Sequence, residues 1–215
     1  KDKQIFYYRG SGNGYTNTMF WLRTGIGVMK FVHPDDTNRD EKDEYIRKKA
    51  EPAIRYAEIL LIYAEALNEL TGSYTVASWN GETQYTIQRD INEMKKGIQP
   101  IRIRAGIPDY TPAEYEDQNL FREKLKRERQ IELMGEGHRY YDIRRWKDAD
   151  VEESLPIYGC NTLMTEKWKD VFHVPVAVPS LPTNFSRKMY FWPISHSELK
   201  RNKMLTQNPG WTYND

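Results

Sequence analysis

The sequence has 215 residues, 39% hydrophobic and 13% aromatic, and its 32 Lys and Arg against 31 Asp and Glu leave a formal net charge of +1. That length suits one large domain or two small ones, and the balanced charge argues against a nucleic-acid binder, which carries a basic excess on one face. A mean hydropathy of −0.83, with no run near the ~18 apolar residues of a span, excludes a transmembrane reading. The lone Cys160 excludes an internal disulfide and a multi-cysteine zinc site. The chain starts at Lys1 without a signal-peptide pattern, so any targeting segment is expected to have been removed or to lie upstream.

In chain order, residues 1–34 read as irregular, with Ile5-Phe6-Tyr7-Tyr8 as a candidate strand and Gly10-Ser11-Gly12-Asn13-Gly14 as a turn-rich loop. Residues 35–51 are nearly all charged and read as a solvated connection. Glu51-Pro52 predicts the start of a helix running to about Leu70, with Gly72 as its stop. Its polar residues, Arg55, Glu58, Glu65 and Glu69, form a narrow stripe, so it is expected to be packed on most of its sides. Residues 71–86 read as a polar-aromatic loop, and Ile87, Ile91 and Met94 predict a helix near 87–96, broken by Gly97 and Pro100. A short segment, Ile101–Ala105, ends at Gly106. Thr111-Pro112-Ala113-Glu114 has the form of a capping box, opening a long helix to about Leu133. Gly135 and Gly137 interrupt it, and His138–Trp146 reads as a further helix. Residues 150–190, with prolines at 156, 175, 179 and 182, read as a surface excursion with little regular structure. Ser195–Glu198 is a second capping-box candidate, and Gln207–Gly210 a turn. The sum is a mainly α fold of antiparallel, tetratricopeptide-like helix pairs with long irregular loops.

Few motifs carry chemistry. The glycines at 10, 12 and 14 are followed by Tyr-Thr-Asn-Thr and not by an opening helix, so they read as a plain turn. A calcium loop starting at Asp36 would need Gly and Glu where Glu41 and Arg47 stand. His33, His138, His173 and His196 show no metal-ligand spacing, and no G-x-S-x-G elbow is present. Cys160 with His173 is a catalytic pair only if the fold joins them, and a packed Cys160 is the plainer reading. The many carboxylates have basic neighbours three or four residues away, which reads as helix-surface pairing. No catalytic residue and no metal ligand is therefore assigned, and no cofactor is implied.

The stretch 127–146 mixes charges closely with Tyr and Trp. It predicts an ion-pair and stacking network between two helices, with Arg planes against Tyr141 and Trp146 and with His138 and Asp142 paired at i,i+4. Here Glu128–Trp146 (ERQIELMGEGHRYYDIRRW) resembles the signature of the SusD/RagB family of outer-membrane proteins. Arg55–Leu67 (RYAEILLIYAEAL) is similar to that family's preceding helix, Ile101–Gly106 to its IRNRAG segment, and Tyr190–Trp211 to its ending, PIP-x-x-E followed by N-x-x-L-x-QNPGY. Four blocks stand in the family's order, with Gly135 in place of an aromatic, Ser195 in place of the second proline and Trp211 in place of the final tyrosine.

The resemblance implies a SusD-like fold and a single C-terminal domain over residues 1–215 of a longer protein, whose N-terminal part and lipid-bearing cysteine lie upstream. It further implies a non-enzymatic, surface-exposed outer-membrane lipoprotein. Such a protein binds an oligosaccharide or polysaccharide and delivers it to a TonB-dependent, SusC-like transporter, touching the membrane only through its anchor. A helical scaffold facing the transporter alone, and a binder of peptide or another nutrient, remain open as alternatives, with a glycoside hydrolase behind both. The family's shared motifs are scaffold, so the ligand residues come from chemistry: Trp79 and Tyr74, beside Asn80, Gly81 and Gln84, suit the apolar face and polar edge of a sugar ring. The alternative for Trp79 is that it caps the helix pair. Tyr15 and Trp21 after the glycine loop are further candidates, with Trp168 behind them.

Overall fold

The structure is a computed structural model that describes residues 7–14, 16, 19, 21–33, 35–38, 44–49, 52–165, 170–178 and 183–212. It divides into two units, residues 49–142 and residues 1–48 with 143–215.

The 49–142 unit is built around helix α1, Tyr56–Asn68. Its first helical residue lies four beyond Pro52, so the expected opening at Glu51-Pro52 is not the one adopted: Arg55 is the extended N-cap residue, and its side chain is spent on Glu132 and Glu136. Ala57, Leu61, Ala64 and Leu67 face inward. Tyr56, Ile59, Ile62 and Tyr63 are exposed, so the expected packing on most sides is also corrected; the described residues supply partners for one side of α1 only.

Helix α2, Ile91–Arg104, runs straight through Gly97 and Pro100, both expected to break it. Asp90 starts it by accepting from the Glu93 N–H at 3.0 Å. Gly97 sits where α1 crosses, close enough that a Cβ there would lie 2.5 Å from the Leu60 carbonyl oxygen. A mid-helix proline costs about 3 kcal/mol. Burying Met94, Ile98 and Ile101 gains roughly 1.5–3 kcal/mol each, and that decides the outcome.

The expected long helix from Thr111 is two helices, α3 (Pro112–Glu116) and α4 (Gln118–Glu132). Thr111, Pro112 and Glu114 form the full capping box. Asp117 is extended at the joint and accepts from the N–H groups of Asn119 and Leu120, so its side chain restarts the helix. Tyr63 meets Glu93, and Arg102 and Arg104 meet Glu128 and Glu132. Asn68 meets Gln118, and Arg55 meets Glu132. Helix α1 therefore packs with one face against both α2 and α4, antiparallel to each, and α2 and α4 also meet each other. Their shared core adds Tyr115, Phe121, Leu125 and Leu133. Helix α5, His138–Arg145, follows the Gly135–Gly137 turn and carries the chain out of this unit.

The expected loop 71–86 is a β-hairpin joining α1 to α2. Strand β1, Tyr74–Ala77, pairs antiparallel with β2, Gln84–Ile87.

In the other unit, the glycine loop is a turn, with Ser11 N–H on Tyr8 O and Gly14 N–H on Ser11 O. Residues 1–6, half of the candidate strand Ile5–Tyr8, lie outside the described residues, and Tyr7 and Tyr8 are not in a strand. The charged connection contains a short antiparallel pair, Thr37–Asn38 with Glu44–Tyr45. The described residues of the excursion 150–190 are mostly irregular, relieved by the short helix Ala149–Glu152, the pair Tyr158–Gly159 with Val176–Ala177 and the 3-10 turn Arg187–Tyr190. Ser195 caps the helix His196–Arg201 by accepting from Glu198 N–H, and the turn at Gly210 closes with Trp211 N–H on Asn208 O.

Candidate ligand-binding surface

In the β1–β2 hairpin, Tyr74 pairs with Ile87 and Val76 with Tyr85, while Thr75 pairs with Thr86 and Ala77 with Gln84. Cross-strand partners share a face. One face is thus Tyr74, Val76, Tyr85 and Ile87, and the other is Thr75, Ala77, Thr86 and Gln84. The aromatic face is open to solvent, with Tyr74 47% and Tyr85 53% exposed.

The tip, residues 79–82, is tightly tied. Ser78 N–H donates to Thr83 O at 2.7 Å, and Gly81 N–H to Ser78 O at 2.9 Å, with Gly81 at φ +76° where glycine is favoured. The Asn80 carboxamide oxygen accepts from the Ser78 hydroxyl at 2.6 Å and from Glu82 N–H at 3.2 Å. Its amide nitrogen donates to the Glu82 carboxylate at 2.7 Å. Thr83 N–H donates to the Ser78 hydroxyl at 3.0 Å. Trp79 projects from this knot and is 99% exposed. It does not cap the helix pair.

Of the residues singled out in the sequence, Trp79 and Tyr74 share this hairpin. Trp21 lies in the other unit, half-buried, with the Arg23 guanidinium 5.8 Å from its ring. Tyr15 and Trp168 lie outside the described residues. Tyr85 and Val76 were not foreseen. Their signal was the alternation of Tyr74 and Val76 against Tyr85 and Ile87 across Asn80-Gly81, which is hairpin patterning that the surrounding polar residues conceal.

A groove of about 380 Å³ opens between α1 and α2, lined by Pro52, Ile54, Tyr56, Leu60, Pro100 and Arg104 among others. Its arginines, Arg55 and Arg104, already hold Glu132 and Glu136. It therefore offers apolar contact with few spare hydrogen bonds, whereas a saccharide needs both.

The buried charges are committed to one another. Arg129 Nε donates to Asp142 at 2.6 Å. Arg102 donates to Glu128 at 2.5 Å and lies 3.9 Å from the centre of the Tyr110 ring. The Tyr110 hydroxyl donates to Glu128 at 2.8 Å, and that of Tyr115 to Asp109 at 2.7 Å. Burial, together with these carboxylates, pushes both phenols well above their usual range. The expected His138–Asp142 pair does not form: His138 Nδ1 turns to Glu58 at 3.5 Å, because Asp142 is taken by Arg129. Arg145 stacks on Trp146 at 4.6 Å as expected, but Tyr141 meets the edge of Tyr140 at 5.1 Å and no arginine plane. This network pins α1, α2, α4 and α5 together. Among the described residues no group of three or more His, Cys, Asp or Glu gathers to hold a metal ion, and no helix is long and apolar enough to cross a membrane.

The 49–142 unit is thus a helical scaffold of antiparallel helix pairs that carries an exposed aromatic hairpin. Residues 2–211 match the SusD family, and the chain belongs to it. It is 30% identical over 160 residues to the SusD-like protein P2 of Formosa agariphila, covering 74% of this chain and 25% of that one. Among solved structures, BT4246 superposes with a TM-score of 0.73 at 24% identity, over 98% of this chain and 32% of its own. A SusD-like protein of Bacteroides fragilis, BF3747, superposes with a TM-score of 0.56 at 27% identity, over 80% of this chain and 29% of its own. The chain thus spans a quarter to a third of the length of these relatives. The SusD family comprises binding proteins of the outer-membrane surface, generally for glycans taken up as nutrients.

Proposed function

We propose that this chain is the C-terminal part of a non-enzymatic glycan-binding lipoprotein of the outer-membrane surface. It captures an oligosaccharide or polysaccharide and hands it to a TonB-dependent, SusC-like transporter, while a lipid anchor upstream holds it to the membrane. The observation that carries this reading is Trp79, fully exposed at a hydrogen-bonded hairpin tip with Tyr74 on the same element. A large apolar ring held out in water at an ordered tip stacks on the C–H face of a sugar, while the hydroxyl of the exposed Tyr85 on the same hairpin meets the sugar's edge. Because the tip is already ordered, little conformational entropy is lost on binding.

Affinity electrophoresis through gels cast with a panel of polysaccharides tests this. Retardation in at least one gel, lost with Trp79→Ala, is the expected outcome. No retardation in any gel overturns it.

A second reading is a scaffold that touches the transporter alone. It draws on the outward face of α1, where Tyr56, Ile59, Ile62 and Tyr63 stand exposed. It requires that the protein co-purify with the transporter while binding no polysaccharide.

A further inference from the structure

Charge is nearly absent from the hairpin. Between Thr71 and Gln88 the only ionisable acid or base of the Asp, Glu, Lys and Arg set is Glu82, in a chain where 29% of residues are charged. The segment is nonetheless almost wholly exposed. An exposed strip that carries aromatics and lacks charge has the composition of the centre of a contact surface and not that of a solvated loop.

The one charge is not loosely placed. Glu82 accepts from the Asn80 amide at 2.7 Å, and its own N–H donates to the Asn80 side chain, so the carboxylate is tethered within the same four-residue tip as Trp79. The nearest cation along the chain past Gln88 is Arg89, and it faces away from this use. Its guanidinium donates to Asn68 at 3.1 and 3.0 Å and to the Tyr115 carbonyl.

We propose that the Tyr74–Val76–Tyr85 face of the hairpin, running into Trp79 at the tip, selects uncharged glycans, and that Glu82 is the residue that rejects uronate- and sulfate-bearing ones. This rests on the glycan-binding reading above and adds the ligand's charge class and the face it occupies. The hydroxyl face, Thr75 and Thr86, lies on the other side of the strands and is not part of the surface. An anionic group held about 4 Å from an exposed carboxylate is disfavoured by about fivefold in water, and salt near the physiological range screens most of that beyond a Debye length of ~8 Å.

The test is affinity electrophoresis at low ionic strength in matched gels: pectic galactan against polygalacturonate, and hydroxyethyl cellulose against carboxymethyl cellulose. The expected result is retention by a neutral member of the panel and weaker retention by its charged counterpart. Trp79→Ala and Tyr85→Ala are expected to abolish retention, Thr86→Ala to leave it unchanged, and Glu82→Gln to raise retention by the charged counterpart about fivefold. All four positions are exposed, so unchanged thermal melts confirm that each variant is folded. Equal or stronger retention by the charged polymers, or no response to Glu82→Gln, overturns the charge selection while glycan binding stands. Neutral retention that survives both aromatic substitutions overturns the hairpin face. Retention in no gel overturns glycan binding itself.

Discussion

Arg55 ties the start of α1 to the end of α4. Its Nε and Nη2 donate to the two oxygens of Glu136 at 2.8 and 2.7 Å, while Nη1 reaches Glu132 at 2.8 Å and Nη2 also reaches the Glu132 carbonyl at 3.0 Å. The three side chains are largely buried. Arg55→Ala takes the forked contact from Glu136 and leaves Glu132 to Arg104, and is expected to cost about 3 kcal/mol, seen as a lower urea midpoint with little change in slope. Arg55→Lys is expected to restore only part of the loss, since an ammonium cannot make the forked contact. Glu114 argues a second case. The Lys124 ammonium, then the Thr111 backbone N–H and hydroxyl, hold its carboxyl down at about 2 against a usual 4.5. Glu132 is also held low: burial pushes it up, but Arg104 and Arg55 outweigh that. A carboxyl with a depressed pKa takes up its proton later in the fold than in the unfolded chain, so its stabilisation is complete above about pH 4.5 and is lost as pH falls toward 2. The expected outcome is a stability that falls across that window and falls less steeply in Glu114→Gln, measured by urea unfolding at a series of pH values. That 127–146 form a charge network was legible from its composition. Which acid His138 would face was not, because Glu58 lies 80 residues away in sequence and is brought there only by the packing of α1.

Gly97 shows what sequence patterning conceals at the level of the element. Glycine and proline three apart read as breaks, yet α2 spans both. The reason for the glycine is lateral: a Cβ at 97 would lie 2.5 Å from the Leu60 carbonyl oxygen and 2.9 Å from the Ala64 Cβ. Gly97→Ala gains up to about 1 kcal/mol of helix propensity but forces α1 and α2 apart, at roughly 1–3 kcal/mol. The expected net effect is destabilisation, read as a lower urea midpoint. Gly72→Ala serves as the contrast, since a Cβ there meets nothing within 4 Å and the midpoint is expected to stay where it is. The helices were legible because their apolar periodicity is long. The hairpin was not, because its strands are four residues each and its polar face shares the composition of a loop. Trp79 and Tyr74 stood out by residue type, whereas the exposure of Trp79 depends on a tip knotted by Ser78, Asn80 and Thr83, which no periodicity announces.

At the scale of the whole molecule, every residue of the main core cluster, from Ala57 to Leu133, belongs to the 49–142 unit. The apolar all-round character of α1 suggested burial on most sides, but burial depends on which partners the fold supplies, and the described residues place α2 and α4 on one side only. Self-containment follows from this arrangement. The core, the three-helix packing and the Arg55 and Arg129 ion pairs all close within one stretch of chain. Residues 49–146, which keep α5 whole, are therefore expected to fold alone into a helical unit. Its circular dichroism should show a cooperative thermal transition, and that transition should reappear in the melt of the whole chain. Arg55→Ala should lower it in both by the same free energy, since the residues that Arg55 holds are present in each. A stretch 49–146 that is helical but melts without cooperativity, or a core variant whose cost differs between the isolated stretch and the whole chain, would show that the unit depends on residues outside it.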